Sequence, residues 1–360
     1  MQKENNPKQL DDLKIELKAK VEDVVNNFRS DPAKIAEYLQ FAARFSSYSH
    51  NNVRLIYAQN PYARYIAPAS RFFAGLPDES GVKLSETPIL IKKWERALRI
   101  WAPTDRKYVL DPDKQRWIAF SYLSERLQKR AAAESWETRT RTDFVLVPVF
   151  DVSQTETPRE LYPKLLAPGY ADVSADIRYN AIKSYAENEL HCRVIVGDMG
   201  AMENAAFGYF SPDRNEIHIS SRIEGNAKLS TLIHELGHAE LHAAADPAKS
   251  TAQIELEADM YAILVQEKMG VPLTDERKSH LARHYTEYLE EVKSAQPDIQ
   301  LDLKSDSAPF DSVLRRYGDQ ADKLDEYVLT AGREIEAPGE VFKTEASLSV
   351  ESSQFKISRC

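Results

Sequence analysis

Residues 229–242, LSTLIHELGHAELH, constrain the fold of this 360-residue chain more than any other stretch. His234 and His238 stand four apart, so a helix sets both imidazoles on one face, close enough to share a tetrahedral ion. Glu235, next to the first of them, is the residue type that moves a proton at such a site. The only cysteines, Cys192 and Cys360, have no CxxC pairing, so any metal must be held by histidine and carboxylate.

A third ligand is expected from the next helical segment, AQIELEADMYAILV, which offers Glu255, Glu257 and Asp259. Glu255 and Asp259 are four apart and share a face, whereas Glu257 lies about 200° around the helix from Glu255. We therefore expect Glu255 to be a ligand and Asp259 to hold the far ring nitrogen of a ligand histidine, fixing its tautomer. His242 is on the same stripe as His234, but eight helical residues span about 12 Å, so the two cannot bind one ion. It reads as a helix-end residue or a support. Three protein ligands leave a fourth position for water, so one zinc per chain is expected, with Glu235 as general base. A two-metal phosphodiester site would need a carboxylate cluster that is absent from this pattern. Ahead of the site helix, GYFS and the strand 215–220 read as sheet. The strand 215–220 is expected to offer an edge to an extended peptide, and Tyr209 to serve as an oxyanion donor.

The net charge of -9 is unevenly spread. Residues 1–150 hold 25 Lys+Arg against 19 Asp+Glu, and residues 151–360 hold 22 against 37. Such a split suits two units with different partners, the first attracted to polyanions. All four tryptophans, Trp94, Trp101, Trp117 and Trp136, lie in the basic half, interleaved with Lys92, Lys93, Arg96, Arg99, Arg106, Lys107, Arg116, Arg139 and Arg141. Aromatic platforms with cations are what an unpaired nucleic-acid strand needs. No apolar h-region opens the sequence and no apolar run approaches the roughly 18 residues that cross a bilayer, so a cytoplasmic protein without a membrane partner is expected.

Periodicity predicts helices over 10–29, from Asp31-Pro32 to about 42, and over 53–59, with SSYSHNN as a break between the last two. ILIKKW, ALRIWAP, KYVL, WIAFSYL and FVLVPVFDV read as short strands, the last preceded by a charged stretch. SQTETPRELYP is the expected boundary. A helix around 171–190, strands at CRVIVG, FGYF and EIHIS, helices over 227–243 and 252–269, and more helix to about 330 follow. The expected organisation is α+β: a small α+β nucleic-acid-binding domain over 1–156, a mostly helical metal-binding domain over 157–335, and a polar tail over 336–360.

Two resemblances join these readings. Residues 206–266, from AFGYFSPDRNEIHIS through TLIHELGHAELH to IELEADMYAILVQ, resemble the zincin domain of the ImmA/IrrE and ArdC-like metallopeptidases, a likeness reaching over about 170–290. It implies a gluzincin in which His234, His238 and Glu255 bind the metal and Glu235 is catalytic. Residues 46–65, SSYSHNNVRLIYAQNPYARY, with FVLVPVFDVSQTE at 144–156, resemble the N-terminal single-stranded-DNA-binding domain of ArdC-type antirestriction proteins from mobile elements. That likeness implies DNA contact near Tyr48 and Asn52, beside the Lys92, Lys93, Trp94, Arg96 and Trp101 cluster. Together they imply a zinc metallopeptidase with a DNA-binding first half, acting on a regulator or restriction component. The alternative is a non-enzymatic, DNA-protecting protein whose zincin fold serves stability or interaction.

Overall fold

Phe28, Tyr38, Phe41 and Ile56, contributed by three successive helices, are buried against one another and against the second half of the chain. These helices are α1 (Pro7–Ser30), α2 (Lys34–Ala42) and α3 (His50–Gln59). The computed structural model describes residues 7–78, 80–162, 173–200, 206–244, 246–295 and 303–336. Helix α3 begins three residues before the apolar pattern does, because the Ser49 side chain accepts from the Asn52 N–H and caps it. It stops at Gln59, ahead of Pro61.

An antiparallel sheet follows, in the order β1-β4-β2-β3: β1 (Ile66–Ala67), β2 (Leu98–Asp111), β3 (Arg116–Ala119) and β4 (Thr138–Asp151). Helix α4 (Ala69–Phe73) follows β1, and α5 (Glu125–Ala133) lies between β3 and β4. ALRIWAP and KYVL, separate strands by their apolar pattern, form the single strand β2. It pairs with β4 from Leu98↔Val149 to Val109↔Thr138. Its ends are buried and its middle is not, so the middle carries no alternation to announce a strand. ILIKKW is not a strand: Ile91 makes one bridge to Thr155, and the chain then turns. Residues 120–122 of WIAFSYL form a short 3-10 turn, and the charged stretch contains α5, whose sole buried residue is Ala131.

The second half opens with α6 (Ala175–Glu189) and a three-stranded sheet of β5 (Arg193–Gly197), β6 (Gly208–Ser211) and β7 (Glu216–Ser220), in the order β5-β7-β6. Strand β7 is parallel to β5 and antiparallel to β6. Four helices complete the described chain: α7 (Gly225–Leu241), α8 (Thr251–Lys268), α9 (Asp275–Ala295) and α10 (Leu303–Glu336). The architecture is α+β. No helix among the described residues is long and apolar enough to cross a membrane. The expected polar tail lies, from residue 337 onward, outside the described residues.

One hydrophobic cluster runs from Phe28, Tyr38 and Phe45 in the first half to Tyr185, Leu232, Tyr261 and Tyr317 in the second. Polar contacts cross the same seam: Gln40 and Arg44 reach Glu267 at 3.0 Å each, and the Tyr317 hydroxyl donates to the Ala43 carbonyl at 2.8 Å. A boundary at 156 therefore separates two sheets, while the helices on either side of it share one core. Smaller clusters lie under the first sheet, around Phe72 and Ile89 and around Val109 and Trp136.

Candidate metal centre

Helix α7 buries Leu229, Leu232, Ile233, Leu236 and Ala239, and this stripe turns His234 and His238 to the edge of the core. Helix α8 comes alongside at Gly237, where a Cβ would lie 3.1 Å from the Ala258 carbonyl oxygen and 3.2 Å from its Cα. With no side chain there, the two backbones meet. Glu255, one turn before Ala258, thereby reaches both imidazoles: its Oε2 lies 3.5 Å from His234 Nε2 and 3.6 Å from His238 Nε2. The rings stand 5.0 Å apart and nearly perpendicular, at 89°.

One ligand atom from each of His234, His238 and Glu255 lies within 4.8 Å of the others, the one such group among the described residues. The two nitrogen–oxygen distances exceed a hydrogen bond. They match the roughly 3.3–3.6 Å that separates two ligands each about 2.0–2.2 Å from a tetrahedral ion. The donor set therefore fits a divalent metal. Burial would raise the Glu255 pKa, but the two histidines outweigh it and hold the carboxyl well below its ordinary range.

Asp259, fully buried, faces His234 from the other side: its Oδ1 is 3.1 Å from His234 Nδ1. Arg277 and His284, both on α9, complete its contacts. Arg277 Nη1 donates to Oδ1 at 2.5 Å and lies 2.9 Å from His234 Nδ1, and His284 Nδ1 is 3.0 Å from Oδ2. A carboxylate only accepts, so the tautomer of His234 that bonds to Asp259 carries its proton on Nδ1 and presents Nε2 to the metal position. Burial disfavours charge on His234, yet Asp259 and Glu255 prevail and raise its pKa to about 9. Burial also opposes ionisation of Asp259, and its partners overcome it, keeping the carboxylate ionised.

Glu235, 6% exposed, sits one residue past His234, and burial pushes its pKa upward. Its Cγ lies against Gly208 of β6.

Other expected site residues fall elsewhere. Strand β7 is the middle strand of its sheet, so the peptide edge expected of 215–220 is occupied; the edge strands are β5 and β6. Tyr209 pairs with His218 and stacks on its ring at 4.6 Å. Gly208, the preceding residue, faces α7, so Tyr209 points to the opposite sheet face and is not brought to Glu235. Asn52, 2% exposed, spends its amide on strand β2, donating to the Trp101 carbonyl and accepting from the Trp101 N–H, both at 2.8 Å. Tyr48 packs on Phe45 and its hydroxyl donates to the Ile66 carbonyl. Through these contacts both residues hold the fold together, Asn52 buried and Tyr48 half-buried.

Asp151 accepts from the N–H groups of Arg64, Tyr65 and Ser153, tying the segments 46–65 and 144–156 together. Gln154 then donates to the Arg96 carbonyl and to Glu95, and the Lys92 ammonium to the Ser153 carbonyl. The turn so held presents Trp94 at 97% exposure, with a φ of 71°, flanked by exposed Lys93 and Arg96. Trp101 and Trp117 are half-buried, Arg139 stacking on the Trp117 ring at 4.1 Å, while Trp136 is a core residue.

Residues 187–294 match the Peptidase_M78 family, described as the IrrE N-terminal-like domain. An uncharacterized protein of Bacillus anthracis, pXO2-81, is 23% identical over 301 residues, 78% of this chain and 48% of that protein. The chain thus spans about half the length of this relative. Among solved structures, the antirestriction protein ArdC from the R388 plasmid is similar in two forms. The metal-free form has a TM-score of 0.42 at 14% identity, over 79% of this chain and 86% of that one. The Mn(II)-bound form has a TM-score of 0.41 at 13% identity, over 88% and 97%.

Proposed function

From the IrrE N-terminal-like domain at 187–294, we propose that this chain is a zinc-dependent metallopeptidase whose first half binds single-stranded DNA. We further propose that it serves as an antirestriction or regulatory protein of a mobile element or phage. The observation that carries the enzymatic reading is the convergence of His234 Nε2, His238 Nε2 and Glu255 Oε2 beside the buried carboxyl of Glu235. Those three side chains would hold zinc, which would supply the Lewis acidity that polarises a carbonyl and acidifies water. Asp259 keeps His234 in the tautomer that leaves Nε2 free. Glu235 accepts a proton from the attacking water and returns it to the leaving amine, and its burial brings its basicity toward that task. The edge strand β6, beside α7, supports extended-peptide pairing in place of β7.

The DNA reading is supported by the sequence resemblance at 46–65 and 144–156 and by Trp94. A non-glycine residue in the left-handed region costs of order 1 kcal/mol or more, and a fully exposed tryptophan recovers none of it by burial. Stacking on an unpaired base would.

Metal analysis with turnover tests the enzymatic reading. One zinc per chain is expected, lost on replacing His234, His238 or Glu255 by Ala and kept in Glu235→Gln, which should lower turnover by about 10² to 10⁴. A pull-down with the Glu235→Gln chain, read by mass spectrometry, supplies the substrate. Full zinc in Glu255→Ala overturns the ligand set, and equal turnover in Glu235→Gln overturns the base. A wild-type chain that cleaves no captured protein favours the non-enzymatic alternative.

A further inference from the structure

Glu257 is a buried carboxylate that neither the metal ligands nor Glu235 use. Its side chain is 1% exposed and accepts from three donors: Lys249 Nζ at 2.6 Å, Gln253 Nε2 at 2.8 Å and His242 Nε2 at 2.9 Å. His242 closes helix α7, its N–H donating to the His238 carbonyl at 2.8 Å, and its other ring nitrogen, Nδ1, lies 3.3 Å from His238 Nδ1. The rings of His238 and His242 are 5.5 Å apart. A line of contacts therefore runs from a fixed carboxylate through one imidazole to a ligand imidazole.

For a neutral His242 the contacts select one placement of the protons along this line. A carboxylate has no proton to give, so His242 Nε2 donates to Glu257. A neutral His242 then has a lone pair on Nδ1, and only a proton on His238 Nδ1 can make that contact a hydrogen bond. His238 is left with a lone pair on Nε2, the atom that faces Glu255. We infer that His242 and Glu257 are positioning residues that hold His238 in its metal-binding tautomer, as Asp259 holds His234. Each ligand histidine then has its own carboxylate: directly for His234, through a second imidazole for His238. Both carboxylates come from α8, two residues apart, Asp259 on the face that carries Glu255 and Glu257 about 200° around the helix from it.

This inference rests on the metal site proposed above, and two measurements on the full chain separate the two. The first is zinc affinity by chelator competition, alongside thermal unfolding of the metal-free protein. His242→Phe keeps a ring but cannot relay a proton, and should weaken zinc binding by about 10- to 100-fold. His242→Gln, whose amide can accept from His238 and donate to Glu257, should restore most of the loss. Unchanged affinity in His242→Phe overturns the relay, as does a loss of metal-free stability with affinity intact, which marks a purely structural role. A wild-type chain that takes up no zinc overturns the metal site. The second measurement needs neither zinc nor a variant: long-range 15N–1H correlation on the metal-free chain should find His238 protonated at Nδ1 and His242 at Nε2. The reverse assignment overturns the relay even where zinc binds.

Discussion

At Gly208 the edge strand passes so close to α7 that a Cβ would lie 2.6 Å from Thr231 Cγ2, 3.1 Å from the His218 carbonyl oxygen and 3.2 Å from Glu235 Cγ. Thr231 can rotate away, but the strand carbonyl is fixed, so Gly208→Ala should displace Glu235 and leave in place the three ligands, none of which is among the atoms nearest that Cβ. Misplacement of a catalytic group by about 1 Å costs on the order of 10²-fold. The expected outcome is turnover of the trapped substrate down by about 10- to 100-fold with one zinc retained; zinc loss would instead assign β6 a role in the ligand set. The shared face of His234 and His238, and that of Glu255 and Asp259, were legible in the sequence because helical spacing is local; the approach of the two helices, which groups Glu255 with the histidines, is a tertiary contact that spacing does not give. Arg277 and His284 were not legible, since they meet Asp259 from a separate helix and no local spacing advertises that contact. The angle between Glu255 and Glu257 correctly says that the two do not share an ion. It says nothing of His242, which Glu257 meets across the interface with α7.

Between elements, the junction of α3 with α10 is set by His50, which pairs with Asp311 and stacks on Phe310 at 5.9 Å. Its Nε2 is buried without a partner among the described residues, so the neutral ring, with a lone pair there, is favoured over a cation that would bury an unpaired N–H. Burial accordingly pushes its pKa down from 6.5 to about 4. Between these values the unfolded chain holds a proton that the folded chain does not, so this stability is full above pH 6.5 and is lost as pH falls toward 4. The loss is about 1.4 kcal/mol per pH unit and about 3 kcal/mol in all. Urea unfolding of the metal-free protein at several pH values should show His50→Phe, which keeps the stack, losing less stability over that window than the wild type; parallel curves would rule out this titration. Elements with a buried stripe, such as α2, α7 and α8, were legible. Strand β2 and helix α5 were not, because much of each is solvated and an apolar period needs a buried face. The start of α3 was hidden because Ser49 and Asn52, typical turn residues, act there as a cap and a strand clamp.

Across the molecule, the shared core decides how DNA binding must be tested. Excising residues 1–156 would bare the faces of Phe28, Tyr38, Phe45 and Ile56 that pack on the second half, so a fragment that fails to bind says nothing of the intact surface. The full chain is the right reagent, and its charge split, +6 over residues 1–150 against -15 over the rest, favours a strand lying on the first half alone. The full chain should bind an oligonucleotide of about 30 bases more tightly than the duplex, with little sequence preference. Trp94→Ala should weaken that binding by about 1–3 kcal/mol and leave its salt dependence unchanged, because stacking releases no counterion. Lys93→Ala and Arg96→Ala should each flatten the slope of log K against log salt by about 0.7 if their side chains touch phosphate. Lys92 should matter less, since its ammonium already donates to the Ser153 carbonyl. Asn52→Ala should lower stability instead, because it strips both polar groups of Trp101 of their partner. Binding that survives Trp94→Ala at full strength would remove the exposed turn from the interface, and no binding at low salt would remove the DNA reading itself.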